Sequence, residues 1–449
     1  MYLLNTKISA VAHKSMDNPT VKNLWKHFLL RDGDLTIAPC EEFVFRIGET
    51  AVPSLEPGKE YALCVDEAGA CVVGRDHAGL MRGFMALLLK IECGKDRFTI
   101  RPVQEQSGYL LERRMIHICV FPENDLNYIR KLVRLAGICQ YTHIIIEFWG
   151  MQQYDCLKEL AWPNAFTKDE TRGLVKECRE LGMEPIPMFN MLGHAASCRV
   201  LSGKHVVLDQ NPRYQYLYSP DGWVWDIENE DTKALLKQIR LELYELFGPG
   251  EYIHIGCDEA YYISRDARLR KEVLPAYLHE LTTAVEQEGR RPMIWMDMLQ
   301  ARGAFKDCKT TGEPDEVETL RNSAAKSSVF VDWQYNCFDT PIPSLVSLKD
   351  CGYDVMGAPW YDRRNYQAHI DTIVDNNLFG LMFTTWHTLE QYMPSVLACA
   401  KRCGAASFVW NDSSSSLEQT ASLLRRVAFE GNTYEETGWI RNQLVHLNR

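Results

Sequence analysis

From Arg113 onward, short apolar runs alternate with amphipathic stretches, and the runs begin near Met115, His143, Glu184, Tyr252, Arg291, Ser328, Asp354 and Leu378. Strand followed by helix, repeated in this way, is what a (β/α)8 TIM barrel requires. The typical barrel length of ~250 residues fits inside Tyr109 to Arg449 with room for insertions. The pattern predicts an α/β chain: a barrel with C-terminal helices over 108–449, preceded by a small N-terminal α/β domain over 1–107.

Local signals support that division. Tyr61–Val65 and Ala70–Val73 flank the turn Asp66-Glu67-Ala68-Gly69, which reads as two strands. A helix is expected from about Ala78 to Ile91, with Leu80, Phe84, Leu87, Leu88 and Ile91 at helical spacing, and Phe98–Ile100 offers a further strand. Within the barrel, Thr167-Lys168-Asp169-Glu170 is a capping box, and its helix should stop at Gly182. Leu235, Ile239, Leu243 and Leu246 form another apolar stripe, ended by Gly248-Pro249-Gly250. The segment from Ala195 to Glu230, rich in Tyr, Trp, Pro and Asp, is expected to be a long loop over the barrel mouth.

Composition narrows the partners. A formal charge of -11 without clustered Lys or Arg argues against a nucleic-acid surface and leaves neutral or cationic partners. Residues Met1 to Met16 lack an apolar signal core, and no run reaches the roughly 18 apolar residues of a membrane span, so no membrane association and a cytoplasmic location are expected. Many of the 15 cysteines sit in apolar stretches, as Cys119, Cys139, Cys178 and Cys257 do, and the odd count fits reduced thiols. No CxxC pair or Cys/His cluster with zinc spacing occurs, and the spacing of His117, His194, His254 and His387 does not suggest a shared ion, so neither metal nor cofactor is expected. A homodimer is compatible with a barrel, though no exposed stripe in the sequence marks one.

In a barrel, functional groups sit at the carboxyl ends of the strands. Here those ends carry Glu147-Phe148-Trp149, Asn190 to His194, Asp258-Glu259, Trp295-Met296-Asp297, Asp332 to Tyr335, Trp360-Tyr361-Asp362 and Trp386-His387-Thr388. Any one of these tryptophans could be barrel core. Recurring beside acids at one end, they form walls on which the apolar face of a sugar ring can stack. Adjacent acids at a buried strand end push each other's pKa apart, so one can hold a proton while the other stays charged, the division that glycosidic cleavage needs.

The run His254-Ile255-Gly256-Cys257-Asp258-Glu259 resembles the His-x-Gly-Gly-Asp-Glu signature of glycoside hydrolase family 20, the β-N-acetylhexosaminidases, with Cys257 in place of the second Gly. Through Ala260-Tyr261-Tyr262 it looks closest to the hexosaminidase D type, to which Leu192-Gly193-His194, Trp295 to Leu299 and Asp332-Trp333 with Tyr335 are also similar. The stretch Tyr61 to Ile91 resembles the small domain that precedes the barrel in many members.

The resemblance implies a retaining, substrate-assisted mechanism on glycans with a terminal N-acetylhexosamine. Asp258 would orient the acetamido group and Glu259 would be the acid/base. Tyr361, with Tyr335 as second choice, would hold the acetamido carbonyl, and Trp295, Trp333 and Trp386 would line the pocket. Arg113 would grip sugar hydroxyls, and Asp362 would also bind substrate. His194 would support Glu259 or the pocket wall, with Glu147 as a partner. Cys119, Gly150, Asn190 and Thr388 depart from the family pattern at positions where relatives carry acids. They motivate one rival reading, a non-catalytic sugar-binding homologue; a second rival is a barrel glycosidase for sugars without an acetamido group, which would want two acids on well-separated strands.

Overall fold

The computed structural model describes residues 2–94, 97–195, 211–307, 312–386, 389–404 and 416–427. His387, Thr388 and residues 196–210 of the expected loop over the barrel mouth lie outside the described residues.

Among the described residues, nine strands precede the barrel: β1 (Tyr2–Leu4), β2 (Lys7–His13), β3 (Asp34–Cys40), β4 (Val44–Gly48), β5 (Tyr61–Val65), β6 (Gly69–Gly74), β7 (Glu92–Cys93), β8 (Phe98–Ile100) and β9 (Val103–Gln106). They form a six-stranded sheet of order β3-β2-β4-β6-β5-β9 and a three-stranded one, β1-β8-β7. Helices α1 (Pro19–Phe28) and α2 (His77–Leu89) pack on them, α2 almost wholly buried. The expected strand pair and helix fall where the periodicity put them. The elements of the first fifty residues were not singled out from sequence, although β3 alternates exposed and buried positions over Asp34 to Ala38 as a half-buried strand does.

The barrel follows as β10 (Arg114–Cys119), β11 (His143–Glu147), β12 (Glu184–Met188), β13 (Tyr252–His254), β14 (Arg291–Trp295), β15 (Val329–Asp332), β16 (Asp354–Gly357) and β17 (Gly380–Thr384), all parallel and closed by β17 against β10. Between and after them run α3 (Leu126–Ile138), α4 (Lys168–Glu180), α5 (Glu230–Phe247), α6 (Leu274–Gln287), α7 (Pro314–Ser323), α8 (Pro343–Lys349), α9 (Arg363–Asn376), α10 (Leu389–Arg402) and α11 (Ser416–Arg426). The capping box at Thr167 and Glu170 is formed.

Period-two alternation decides what each strand sends inward. Ile116 and Ile118 on β10, and Ile144 and Ile146 on β11, face the helices. Met115 and Ile145 instead join Ile186, Met293, Val329, Met356 and Met382 in the barrel interior. His117, Cys119, Glu147, His254 and Trp295 therefore face inward one or two layers higher, toward the carboxyl ends.

Pro185 and Pro187 explain one irregularity. Glu184 N donates to Thr142 O on the β11 side, so the odd residues of β12 turn toward β13, where the prolines have no N–H to give. Ladder pairing between β12 and β13 is limited to Met188 with His254. The seam closes above it, where Phe189 N and Met191 N donate to His254 O and Ile255 O.

Candidate active site

Beyond β13 the backbone turns through left-handed conformations at Gly256 (φ 67), Cys257 (φ 73) and Glu259 (φ 50). Trp149 (φ 48) and His194 (φ 55), on neighbouring strand ends, share that conformation. Each such non-glycine residue costs on the order of 1 kcal/mol or more, and strain of this kind clusters at functional sites. Gly256 is required: a Cβ there would lie 2.5 Å from Asn190 Cγ. Gly193 is required for the same reason, its Cβ falling 1.9 Å from Asp258 O. These two glycines let the β12 and β13 ends close on each other. Cys257 adopts a glycine-like conformation at the position where the family signature carries Gly.

The turn delivers Asp258 and Glu259 to one spot. Asp258, 8% exposed, accepts at Oδ1 from Asn190 Nδ2 and at Oδ2 from His194 Nε2, 3.1 Å away. Asn190 Oδ1 in turn accepts from Cys257 N at 3.0 Å, so one amide fixes both the turn and the carboxylate. Glu259 lies 3.4 Å from the same His194 Nε2, accepts from Tyr261 OH at 2.6 Å, and donates its backbone N–H to Asp297 Oδ2 at 2.9 Å. Asp297 Oδ1 accepts from Trp333 Nε1 at 3.4 Å, which ties the acid pair to the pocket wall. Trp223 Nε1 donates to Glu259 O at 2.7 Å, and Trp149 stacks on the His194 ring.

The acids border a cavity of about 400 Å³, lined by Trp149, Trp223, Trp295, Trp333, Tyr335, Trp360 and Trp386 together with His194. Tyr335 OH accepts from Trp386 Nε1 at 3.0 Å, and burial pushes its phenol up, so it keeps its proton. Beneath the cavity His254, fully buried, is pushed down to about 3 by desolvation, with His117 adding to the effect, and is therefore neutral.

Of the residues expected from sequence, Asp258, Glu259, His194, Trp295, Trp333, Tyr335 and Trp386 meet at this cavity. Three do not. Arg113 precedes β10 at the amino end of the barrel, its guanidinium 4.2 Å over the Phe379 ring, because side chains ahead of a strand sit at the opposite mouth. Tyr361 is 48% exposed on the rim, stacked on Tyr392. Asp362 caps α9 and pairs with Arg364 instead of facing the cavity. Glu147 also takes other partners: it accepts from His117 Nε2 at 3.2 Å and Cys119 Sγ at 3.0 Å, while His194 turns to the acid pair. Trp149 and Trp360 were among the strand-end tryptophans read together as a sugar-stacking wall, without roles of their own, and Trp223 was not assigned from sequence. Trp223 is reached only through the fold of the long loop.

Residues 146–331, from β11 to β15, match the model of Glycosyl hydrolase family 20, catalytic domain. The lacto-N-biosidase of Bifidobacterium bifidum is 19% identical over 397 residues, covering 83% of this chain but 32% of its own length, so the chain spans about a third of that relative. Among solved structures, the chitobiase of Flavobacterium johnsoniae superposes with a TM-score of 0.67 at 15% identity, covering 95% of this chain and 70% of that one. The N-acetyl-beta-hexosaminidase of Streptomyces plicatus in complex with Thio-NAglucal gives 0.65 at 14% identity, covering 95% and 92%. At such identities the superpositions show the fold: a barrel with a preceding α/β domain. The match to the family 20 catalytic-domain model over residues 146–331 takes in the acid pair together with Asn190, His194 and Asp297.

Proposed function

We propose that the protein is a glycoside hydrolase, a retaining exo-β-N-acetylhexosaminidase that releases terminal β-linked N-acetylglucosamine or N-acetylgalactosamine from glycans. The observation that carries this reading is the position of His194 Nε2 between the carboxylates of Asp258 and Glu259, at 3.1 and 3.4 Å. His194 Nε2 faces both acids, Asn190 holds Asp258 and Tyr261 OH holds Glu259, and we assign Asp258, the more deeply buried of the two, to the acetamido group and Glu259, the more open to the cavity, to the acid/base role.

In the first step the substrate's acetamido oxygen attacks the anomeric carbon while Glu259 protonates the leaving oxygen, giving an oxazolinium. Asp258 stabilises the acetamido N–H as it becomes cationic. In the second step Glu259 takes a proton from water, which opens the ring at the anomeric carbon with overall retention. Tyr335, whose phenol stays protonated, is the donor we assign to the acetamido oxygen, in place of the rim residue Tyr361. Trp295, Trp333 and Trp386 supply the apolar faces for the sugar and its methyl group. The reaction as written draws only on protein groups, substrate and water. Thirteen described cysteines are free thiols, which supports a reducing, cytoplasmic setting. No described helix is long and apolar enough to cross a membrane.

Hydrolysis of 4-nitrophenyl β-glycosides of N-acetylglucosamine, N-acetylgalactosamine, glucose and galactose, beside Glu259→Gln, tests the proposal. Activity confined to the acetamido sugars and lost in the variant is the expected result. Turnover of the plain hexosides would replace substrate assistance with another glycosidase mechanism, and silence on all four would favour a sugar-binding protein.

A further inference from the structure

We propose that His117, Cys119 and Glu147 form a binding site for a divalent transition metal of the zinc class beneath the cavity. Strand register brings them together. His117 and Cys119 are two apart on β10 and share its inward face, and Cys119 pairs directly with Glu147 on β11. That geometry is invisible to motif spacing, since the third donor comes from across the sheet.

The donor atoms are close enough for one ion. His117 Nε2 and Cys119 Sγ lie 3.2 and 3.0 Å from the same Glu147 oxygen and 3.6 Å from each other. Zinc bonds of about 2.0–2.3 Å set tetrahedral donors roughly 3.3–3.6 Å apart, so opening the cluster by a few tenths of an ångström seats an ion. Imidazole, thiolate and carboxylate together suit zinc or cobalt, whereas calcium and magnesium prefer oxygen alone. Three protein ligands leave a fourth position for water.

Charge balance favours the ion. His117 and Cys119 are fully buried and Glu147 is 3% exposed, where a carboxylate is costly to keep charged. On binding, Cys119 releases its thiol proton to solvent, and one carboxylate and one thiolate cancel the dication. The His117 ring lies 4.9 Å from Trp386 and 5.9 Å from Trp295, so the ion would brace the cavity floor. Neither member of the acid pair is a ligand, and the inference stands apart from the hydrolase reading.

The full chain, stripped with a chelator and titrated with Co(II), tests it. The expected result is uptake with a thiolate-to-cobalt charge-transfer band in the near ultraviolet and the visible bands of a tetrahedral site, displaced by zinc. Cys119→Ser, which keeps the side chain's size, should lose the charge-transfer band while its circular dichroism matches the parent, and Glu147→Gln should weaken uptake. Cobalt uptake equal in the parent and Cys119→Ser, or a parent spectrum without the thiolate band, overturns the proposal.

Discussion

Asn190 holds Asp258 through one hydrogen bond and the Cys257 backbone through another. Its replacement by Asp would set a second carboxylate against Asp258, and two acids at that distance share a proton. The variant should match the parent's melting temperature near about pH 5 and fall below it near about pH 8, where the shared proton is lost. Melting curves at the two pH values check this. Asp332 provides a case of the same sign in the parent itself. Burial pushes its carboxyl up to about 7, with Ser344 Oγ donating to it. The folded state keeps a proton that the unfolded chain releases near pH 4, so this contribution to stability is present at low pH and lost as pH rises through 7. Asp332→Asn removes the penalty: it should melt above the parent at about pH 8.5 and close to it at about pH 5.

At the scale of the elements, the turn after β13 carries the site, and Gly256 is its hinge with β12. Gly256→Ala meets both a positive φ and a Cβ 2.5 Å from Asn190, so it should cost about 1–3 kcal/mol from strain alone and displace the acid pair. Gly289→Ala, also at positive φ but with open space around it, is the comparison and should cost less. Denaturant melts of both variants rank them. The same elements show what sequence can convey. All eight barrel strands begin within two residues of their expected starts, because apolar runs between caps and glycines mark them directly. Arg113 was legible as a residue ahead of the first barrel strand, and so at the mouth opposite the acids; its role toward sugar hydroxyls rested on the resemblance alone. Tyr361 was misplaced because a strand-end loop can turn a ring outward onto Tyr392 as easily as inward. The His117–Cys119–Glu147 cluster depends on register, which periodicity within one strand cannot supply.

For the molecule as a whole, the barrel's helix-facing residues and the first domain's interior are one continuous apolar cluster, in which Phe28 and Leu87 belong with Ile129 and Leu181. Glu60 pins the join: it accepts from Arg82 and, at 3.4 Å, from Arg114 at the start of β10. Glu60→Ala leaves two buried guanidinium groups without their carboxylate and should lower stability by about 3–5 kcal/mol, read from the denaturant midpoint. Turnover of the folded variant should be unchanged, since the acid pair lies at the other end of the strands. The concentration of indole rings has a further consequence. Six of the 11 tryptophans border the single 400 Å³ cavity beside Asp258 and Glu259, so the protein's ultraviolet emission is weighted toward that one place. A sugar that displaces water there changes the surroundings of most of the fluorophores at once, and occupancy becomes visible without a label even in a variant that cannot turn over.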